Sequence, residues 1–211
     1  VAGMTHLDAA GSVSFVNASS SFHSLLAQAD DGITVNVNLT TVAGDLSIDG
    51  DADDSADTND NVQFASGVQL GSAGMILLDA TTGGMSGFGA LTLLAADGVT
   101  VDASLTTGGT LTLNADTDAG DNTGTLTVSS GGLISTNNNS LVITANNLDL
   151  TGTISSGGAA TTITDSDGNG IGLGDTPEDS RLILNGAELQ NVSSNGLTFS
   201  TVGGITVNNI T

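Results

Sequence analysis

Short runs in which apolar and polar residues alternate recur along the whole chain. Typical examples begin at Leu111 (Leu-Thr-Leu), Leu126 (Leu-Thr-Val) and Ile205 (Ile-Thr-Val). This period of two, with many Val, Ile and Thr residues, predicts strands of about 3–6 residues. Gly-Gly, Asn-Gly, Ser-Gly and Asp-Gly pairs separate the runs and predict turns. Only residues 21–28 leave room for a short helix, so the sequence predicts an all-β protein.

An internal repeat predicts how these strands are organised. Residues 32–41 (Gly-Ile-Thr-Val-Asn-Val-Asn-Leu-Thr-Thr) match residues 98–107 at an offset of 66 (98 − 32). A looser copy of the second motif begins at Leu150 beside Val101, and residues 204–211 return to the first motif. Grouping the strands by this offset gives three coils of about 22 residues each, which suits a solenoid. The sequence therefore predicts a right-handed parallel β-helix of about nine or ten coils.

Composition favours a solenoid over a sandwich or a barrel. The chain has no Lys, one proline (Pro177) and 2% aromatic residues. Hairpin folds commonly protect their edges with Lys, Pro or bulges, and they often contain aromatic cross-strand pairs. A parallel solenoid needs neither, because each coil pairs with the next. Residues 1–31 fit the repeats poorly, so we divide the chain into an N-terminal segment or joint (1–31) and a solenoid (32–211).

The charge balance excludes several classes of partner. The chain carries 23 acidic side chains and one basic side chain, which gives a formal net charge of −22. Without a basic patch to neutralise phosphates, nucleic-acid binding is not expected. Membrane insertion is not expected either, because no apolar run approaches the roughly 18 residues of a transmembrane helix. The absence of cysteine excludes disulfides and thiolate metal sites.

Three acidic clusters are candidate calcium sites, because Ca²⁺ prefers six to eight oxygen ligands and alternating Asp and Asn supply them from one short loop. The candidate ligands are Asp49, Asp51 and Asp53 in the first cluster, Asp116, Asp118 and Asp121 in the second, and Asp165, Asp167, Asn169 and Asp175 in the third. The third cluster resembles the first half of an EF-hand loop, although Thr176 stands where such a loop has Glu. Solvated turns are the alternative, since Asp and Asn tolerate turn backbones.

The sequence offers little material for catalysis, so no enzyme is predicted. His6 and His23 lie outside the repeats, and Arg181 is the single residue able to pair with an acidic sugar. Paired carboxylates of the kind used in glycoside hydrolysis are present. A carbohydrate-active β-helix enzyme and a calcium-dependent glycan-binding module therefore remain alternatives. A third alternative is an ice-binding array, if two pairs of threonines stack on one flat face, Thr110 with Thr112 and Thr125 with Thr127.

Two stretches carry a resemblance to a known family. Residues 89–101 (Gly-Ala-Leu-Thr-Leu-Leu-Ala-Ala-Asp-Gly-Val-Thr-Val) resemble the haemagglutination-activity repeats of filamentous haemagglutinin-type exoproteins. Residues 187–200, with residues 203–211, resemble modules that occur in tandem in very long bacterial surface proteins of that kind. The resemblance implies a secreted or cell-surface rod used for adhesion or as a structural filament. The expected partners are neighbouring repeats or further copies stacked end to end, and cell-surface or matrix glycans. Ca²⁺ is the candidate cofactor.

Overall fold

The computed structural model describes residues 2–56, 58–177 and 182–210, and these residues form an all-β parallel fold. The first sheet runs, in spatial order, through β1 (Met4–Ala9), β4 (Ser24–Ala29), β7 (Leu46–Asp49), β10 (Ile76–Asp79), β13 (Gly98–Val101), β16 (Thr125–Val128) and β19 (Asn147–Leu150). Its neighbouring strands pair in parallel. Because parallel neighbours need a crossover between them, the chain leaves this sheet and returns to it between successive strands.

A second, larger sheet has two arms, which supply the crossovers. The first arm contains β2 (Val13–Phe15), β5 (Ile33–Val35), β8 (Val62–Phe64), β11 (Met85–Gly87), β14 (Leu105–Thr107) and β17 (Leu133–Ser135). The second arm contains β3 (Ser20–Phe22), β6 (Leu39–Thr41), β9 (Val68–Ser72), β12 (Leu91–Ala95), β15 (Leu111–Asn114) and β18 (Leu141–Ala145). The 13-residue strand β20 (Thr153–Asp165) joins the arms by pairing with β17 and β18. Each passage of the chain therefore visits the first sheet and then both arms, as in a β-solenoid.

The region after β20 departs from this order. Strand β21 (Ile171–Gly174) lies between β22 (Leu182–Leu184) and β24 (Ile205–Asn208) in a separate three-stranded sheet. The nine-residue strand β23 (Val192–Ser200) pairs along both halves of β20. The single helix of the described residues, α1 (Gly186–Gln190), starts at a capping box between Asn185 and Glu188. The spatial order of these strands therefore differs from their order along the chain, because β21 lies between β22 and β24 although it precedes both in the sequence.

Aliphatic columns fill the interior because the strands alternate inward and outward side chains. One column of the second arm runs through Leu70, Leu93, Leu113, Ile143 and Ile163, all of them fully buried. Full burial stabilises each of these side chains by about 1.5–3 kcal/mol relative to exposure. Apolar residues recur at every second position of the sequence, and every second side chain of each strand is buried. The all-β prediction is therefore confirmed.

The 66-residue match does not relate equivalent strands. Its first copy places Ile33 on β5 in the second sheet, whereas its second copy places Val99 on β13 in the first sheet. The looser copy is the one in register, because Val101 pairs with Val128, which pairs with Leu150. Strands on every side of the core have the same alternation, so similar sequences occur on different sides. The prediction of nine or ten coils, which depended on that offset, is not confirmed.

Residues on both sides of position 31 belong to the same sheets. Strand β4 pairs with β1 on one side and with β7 on the other, and β2 pairs with β5. Residues 21–28, where a short helix had room, form parts of the strands β3 and β4 instead. Their alternating burial excludes a helix, because a helix would bury every third or fourth residue.

Candidate functional site

A row of carboxylates follows one corner of the fold, where the first sheet ends and the chain turns toward the first arm. Asp49 pairs directly with Asp79 on the neighbouring strand. Asp102 continues the row, because its backbone N–H donates to Leu78, the residue before Asp79. We call Asp49, Asp79 and Asp102 the acidic row. Like charges directly opposite each other on neighbouring strands are destabilising, so this row concentrates unfavourable negative charge.

The acidic row shifts the titration of its middle member. Partial burial raises the pKa of Asp79 above its ordinary value of 3.8, and the neighbouring charges of Asp49 and Asp102 raise it further. Hydrogen bonds from the Ala80 backbone and the Thr81 hydroxyl lower the pKa but only in part. Asp79 therefore keeps its proton to a higher pH than an isolated aspartate does.

The first acidic loop, residues 50–61, leaves the same corner, and Asp57 in it lies outside the described residues. Two of its aspartates are buried: Asp51 is 1% exposed and Asp60 is 4% exposed. Asp51 Oδ2 accepts a 2.6 Å hydrogen bond from the backbone N–H of Thr82, and Asp60 Oδ2 accepts a 3.1 Å bond from the Thr82 hydroxyl. The two carboxylates therefore meet at one residue of the next turn of the chain.

One oxygen of Asp51 has no hydrogen-bond partner among the described residues. Asp51 Oδ1 is buried and makes no hydrogen bond. A buried acceptor without a donor costs about 1–3 kcal/mol, and a charged one costs more. The other predicted ligands of this cluster have local partners: Asp49 Oδ1 accepts from Asp51 N at 3.2 Å, and the exposed Asp53 accepts from Ser55 N at 3.0 Å.

The second and third acidic clusters lie together at a different corner, where the second arm ends. The second acidic loop is residues 115–124 and the third is residues 165–170. Asp167 accepts hydrogen bonds from the backbone N–H groups of Gly120 and Asn122, the latter at 3.0 Å. The amide of Asn169 donates to the side-chain oxygen of Asn122 at 3.2 Å. The third loop therefore holds the second one, which sequence spacing alone did not indicate.

Asp116, in the second loop, is 2% exposed and fully hydrogen-bonded. Its Oδ1 accepts from the backbone N–H of Ala119 at 2.9 Å, and its Oδ2 accepts from the hydroxyl of Ser166. Burial raises the pKa of Asp116, with Asp167 adding to the effect, whereas the bonds from Ser166 and Ala119 oppose it. This buried carboxylate is satisfied by the protein itself.

Asp165 is also satisfied internally. Its Oδ1 accepts from Gly168 N at 3.2 Å, and its Oδ2 accepts from Gly170 N at 2.8 Å and from the Thr201 hydroxyl at 2.7 Å. Asp175 lies apart from it, at the far end of β21, where its Oδ2 accepts from the Asn209 amide at 2.6 Å. The structure does not bring Asp175 together with Asp165, and calcium binding by this set stays a prediction.

An exposed triad of carboxylates lies beside the second loop. Asp97, Asp118 and Asp121 have carboxylate oxygens within 4.8 Å of one another. Hydrogen bonds from the side chain and backbone of Thr123 lower the pKa of Asp121. Asp97 belongs to the preceding turn and was not among the ligands predicted from the sequence. Its position directly before the second copy of the repeat, at an Asp-Gly turn, is the signal that could have found it.

An uncharged row runs along the first arm. The outward residues Thr34, Gln63, Ser86, Thr106 and Ser135 follow one another on neighbouring strands. The middle three also border a shallow depression that extends to Asn61 and Ser104. Small neutral polar side chains thus form a continuous strip on a protein whose net charge is −22.

The remaining candidates are separated from one another. Thr112 lies in the second sheet and Thr127 in the first, so the proposed threonine array is not formed by this pair. His6 shares a 3.1 Å hydrogen bond with the Gln28 side chain, and Arg181 lies outside the described residues. Within the described part of the chain, no helix is long and apolar enough to span a membrane.

Comparison with known proteins gives no relative: no family model, no curated protein and no solved structure matches this chain. The resemblance to filamentous haemagglutinin-type repeats accordingly stays a prediction. Function has to be inferred from the strand ladders, the two acidic corners and the uncharged row.

Proposed function

We propose that this chain is an extracellular structural or adhesive rod: a right-handed parallel β-helix that forms part of a giant repeat protein or a filament. The predicted coil number of nine or ten belongs to the same proposal. The function is then mechanical and non-enzymatic. Backbone ladders and aliphatic columns give stiffness, and the acidic surface keeps the rod hydrated and repels other polyanions.

The observation that carries this proposal is that an interior column ends without a cover among the residues that the structure describes. Leu111 and Leu141 are fully buried, and the same column continues through Thr161 to Leu197 on β23, which is 38% exposed. An uncovered column and an unpaired strand edge are favourable places for another strand layer. We infer that a further coil covers β23.

Strand β24 and the bend before it present apolar side chains in the same region. Val202 in the bend is 94% exposed, and Val207 and Ile205 on β24 are 61% and 50% exposed. Covering such side chains gains about 25 cal/mol for each Å² of apolar surface that is removed from water. For the isolated chain, the occupant that we propose is the opposite end of a second copy. Head-to-tail contacts of this kind propagate into filaments unless they close into a ring.

Electron microscopy and light scattering of the isolated chain test this proposal. We expect rods whose length grows in steps with concentration, and we expect Val207→Lys to reduce them to single units. Leu77→Lys is the matched control, because Leu77 is 36% exposed on the first sheet, away from β23 and β24. A monodisperse monomer at every concentration would overturn the stacking, and the same images report handedness and coil number.

The uncharged row is the face that we propose for adhesion. Neutral hydroxyl and amide groups can hydrogen-bond a glycan chain without the repulsion that the acidic surface exerts on an anionic partner. A glycan array with the isolated chain tests this, with Ser86→Asp expected to abolish the signal. Asp149→Asn, on the first sheet, should leave the signal unchanged. Equal binding by Ser86→Asp would overturn the assignment of this face.

A further inference from the structure

We propose that the carboxylates of Asp51 and Asp60 bind a divalent cation of the calcium class, which links two successive turns of the chain. This proposal goes beyond the rod function and does not depend on it. It also distinguishes Asp51 from the buried ligands Asp116 and Asp165 that the sequence predicts, because one carboxylate oxygen of Asp51 has no hydrogen-bond donor.

The first observation is the unpartnered oxygen of Asp51. Asp51 is 1% exposed, and its Oδ1 has no hydrogen-bond donor. In contrast, both oxygens of the buried Asp116 accept a hydrogen bond, as do both oxygens of Asp165. Buried carboxylates are normally paired with a cation, a metal or donors. Asp51 Oδ1 is thus a buried acceptor without a donor, which is available to a cation.

The second observation is that both carboxylates bond to the same residue of the next turn of the chain. Asp51 and Asp60 come from the loop after β7, whereas Thr82, which bonds to both, follows β10 on the next turn. The backbones are close here: a Cβ placed on Gly83 would lie 1.8 Å from the carbonyl oxygen of Asp60. A cation held by the two carboxylates would therefore connect two turns that already pack tightly.

The third observation is the charge around the pair. Asp51 N contacts the carboxylate of Asp49, which pairs with Asp79 in the acidic row. No Lys or Arg occurs among the described residues, so a basic side chain does not neutralise this corner. A divalent cation carries the charge that matches two carboxylates. Carboxylates and other oxygen ligands are the donors that Ca²⁺ prefers.

Isothermal titration of the full chain with CaCl₂, after removal of bound metal, tests the proposal. We expect one saturable site in the wild type and a rise in melting temperature with Ca²⁺ relative to EGTA at constant ionic strength. At a hundredfold excess over Kd, the rise should correspond to a roughly hundredfold shift in the folding equilibrium. Mg²⁺ titrated in parallel tests the choice of the larger cation.

Two variants and a control complete the test. Asp51→Asn and Asp60→Asn should each abolish the saturable site and the calcium-dependent shift in melting temperature. Asp149→Asn removes the same charge from an exposed position on β19 and should bind as the wild type does. The absence of a saturable site in the wild type, or unchanged binding in Asp51→Asn, would overturn the proposal. If Asp51→Asn does not fold, Asp60→Asn and the wild-type titration decide.

Discussion

The two acidic corners have similar sequences but treat their buried carboxylates differently. At the corner of the second and third acidic loops, backbone N–H groups and hydroxyls reach both oxygens of Asp116 and of Asp165. At the corner of the first acidic loop, Asp51 Oδ1 receives no donor. Acid density is therefore a poor guide to a cation site, because the supply of donors decides which carboxylate needs an external partner.

The largest effect is expected from Asp165→Ala. The substitution removes the acceptor for Gly168, Gly170 and Thr201, so the free energy of unfolding should fall by about 3 kcal/mol. Because these donors belong to the protein, the loss should be equal in Ca²⁺ and in EGTA. Chemical denaturation measures it.

Asp149→Ala, at an exposed position on β19, is the control for this variant and should stay within about 0.5 kcal/mol of the wild type. A dependence of the Asp165→Ala loss on Ca²⁺ would break the comparison, since it would identify Asp165 as a ligand, as the sequence predicted.

Gly83→Ala should have the next largest effect. A Cβ at this position would lie 1.8 Å from the backbone oxygen of Asp60, so the two turns must move apart. We expect a loss of about 2 kcal/mol from this overpacking. At the other corner, Gly120 has φ +90° and open space around its Cβ position, so Gly120→Ala should cost about 1 kcal/mol through backbone strain alone. Equal losses for the two variants, measured by urea denaturation, would argue against tight packing at Gly83.

Asp51→Asn and Asp165→Asn should change the free energy of unfolding in opposite directions, which compares the two acidic corners directly. In EGTA Asp51→Asn removes a buried carboxylate whose Oδ1 has no donor, so the protein should gain about 1 kcal/mol of stability. Asp165→Asn should instead lose stability, because its new NH₂ group faces donors that an oxygen accepted before. Thermal melts of both variants in EGTA provide the measurement. Stability changes of the same sign would show that the two carboxylates are equivalent after all.

The smallest effect concerns pH and the acidic row. The pKa of Asp79 is raised in the folded state above 3.8, so this carboxyl stabilises the fold below pH 3.8, and that contribution is lost as pH rises through the folded pKa. Asp79→Asn should therefore raise stability at pH 7 by a few tenths of a kcal/mol and weaken the gain that the wild type shows on acidification. Melting temperatures from pH 4 to pH 7 in EGTA test this. A lower melting temperature for the variant at pH 7 would contradict it.

Part of the candidate chemistry was accessible from sequence, and part was not. The clusters containing Asp51, Asp116 and Asp165 were visible as Asp-rich loops. The pairing of Asp51 and Asp60 through Thr82 was not, since Thr82 belongs to the following turn. Asp97 was missed for the same reason: it approaches Asp118 and Asp121 only after the chain completes a passage.

The sequence by itself determined the kind of element and its orientation to the core. Alternating Val, Ile, Leu and Thr impose strands, and an aliphatic chain without Lys favours parallel stacking over exposed hairpin edges. Only the tertiary structure decided the register. The close match between the motifs at Gly32 and Gly98 joins different sheets, whereas the looser match from Val101 to Leu150 follows a real column. The physical reason is that every side of the core requires the same alternation, so local sequence cannot encode which side a strand occupies. That choice depends on the loop lengths and hydrogen bonds that join one turn to the next.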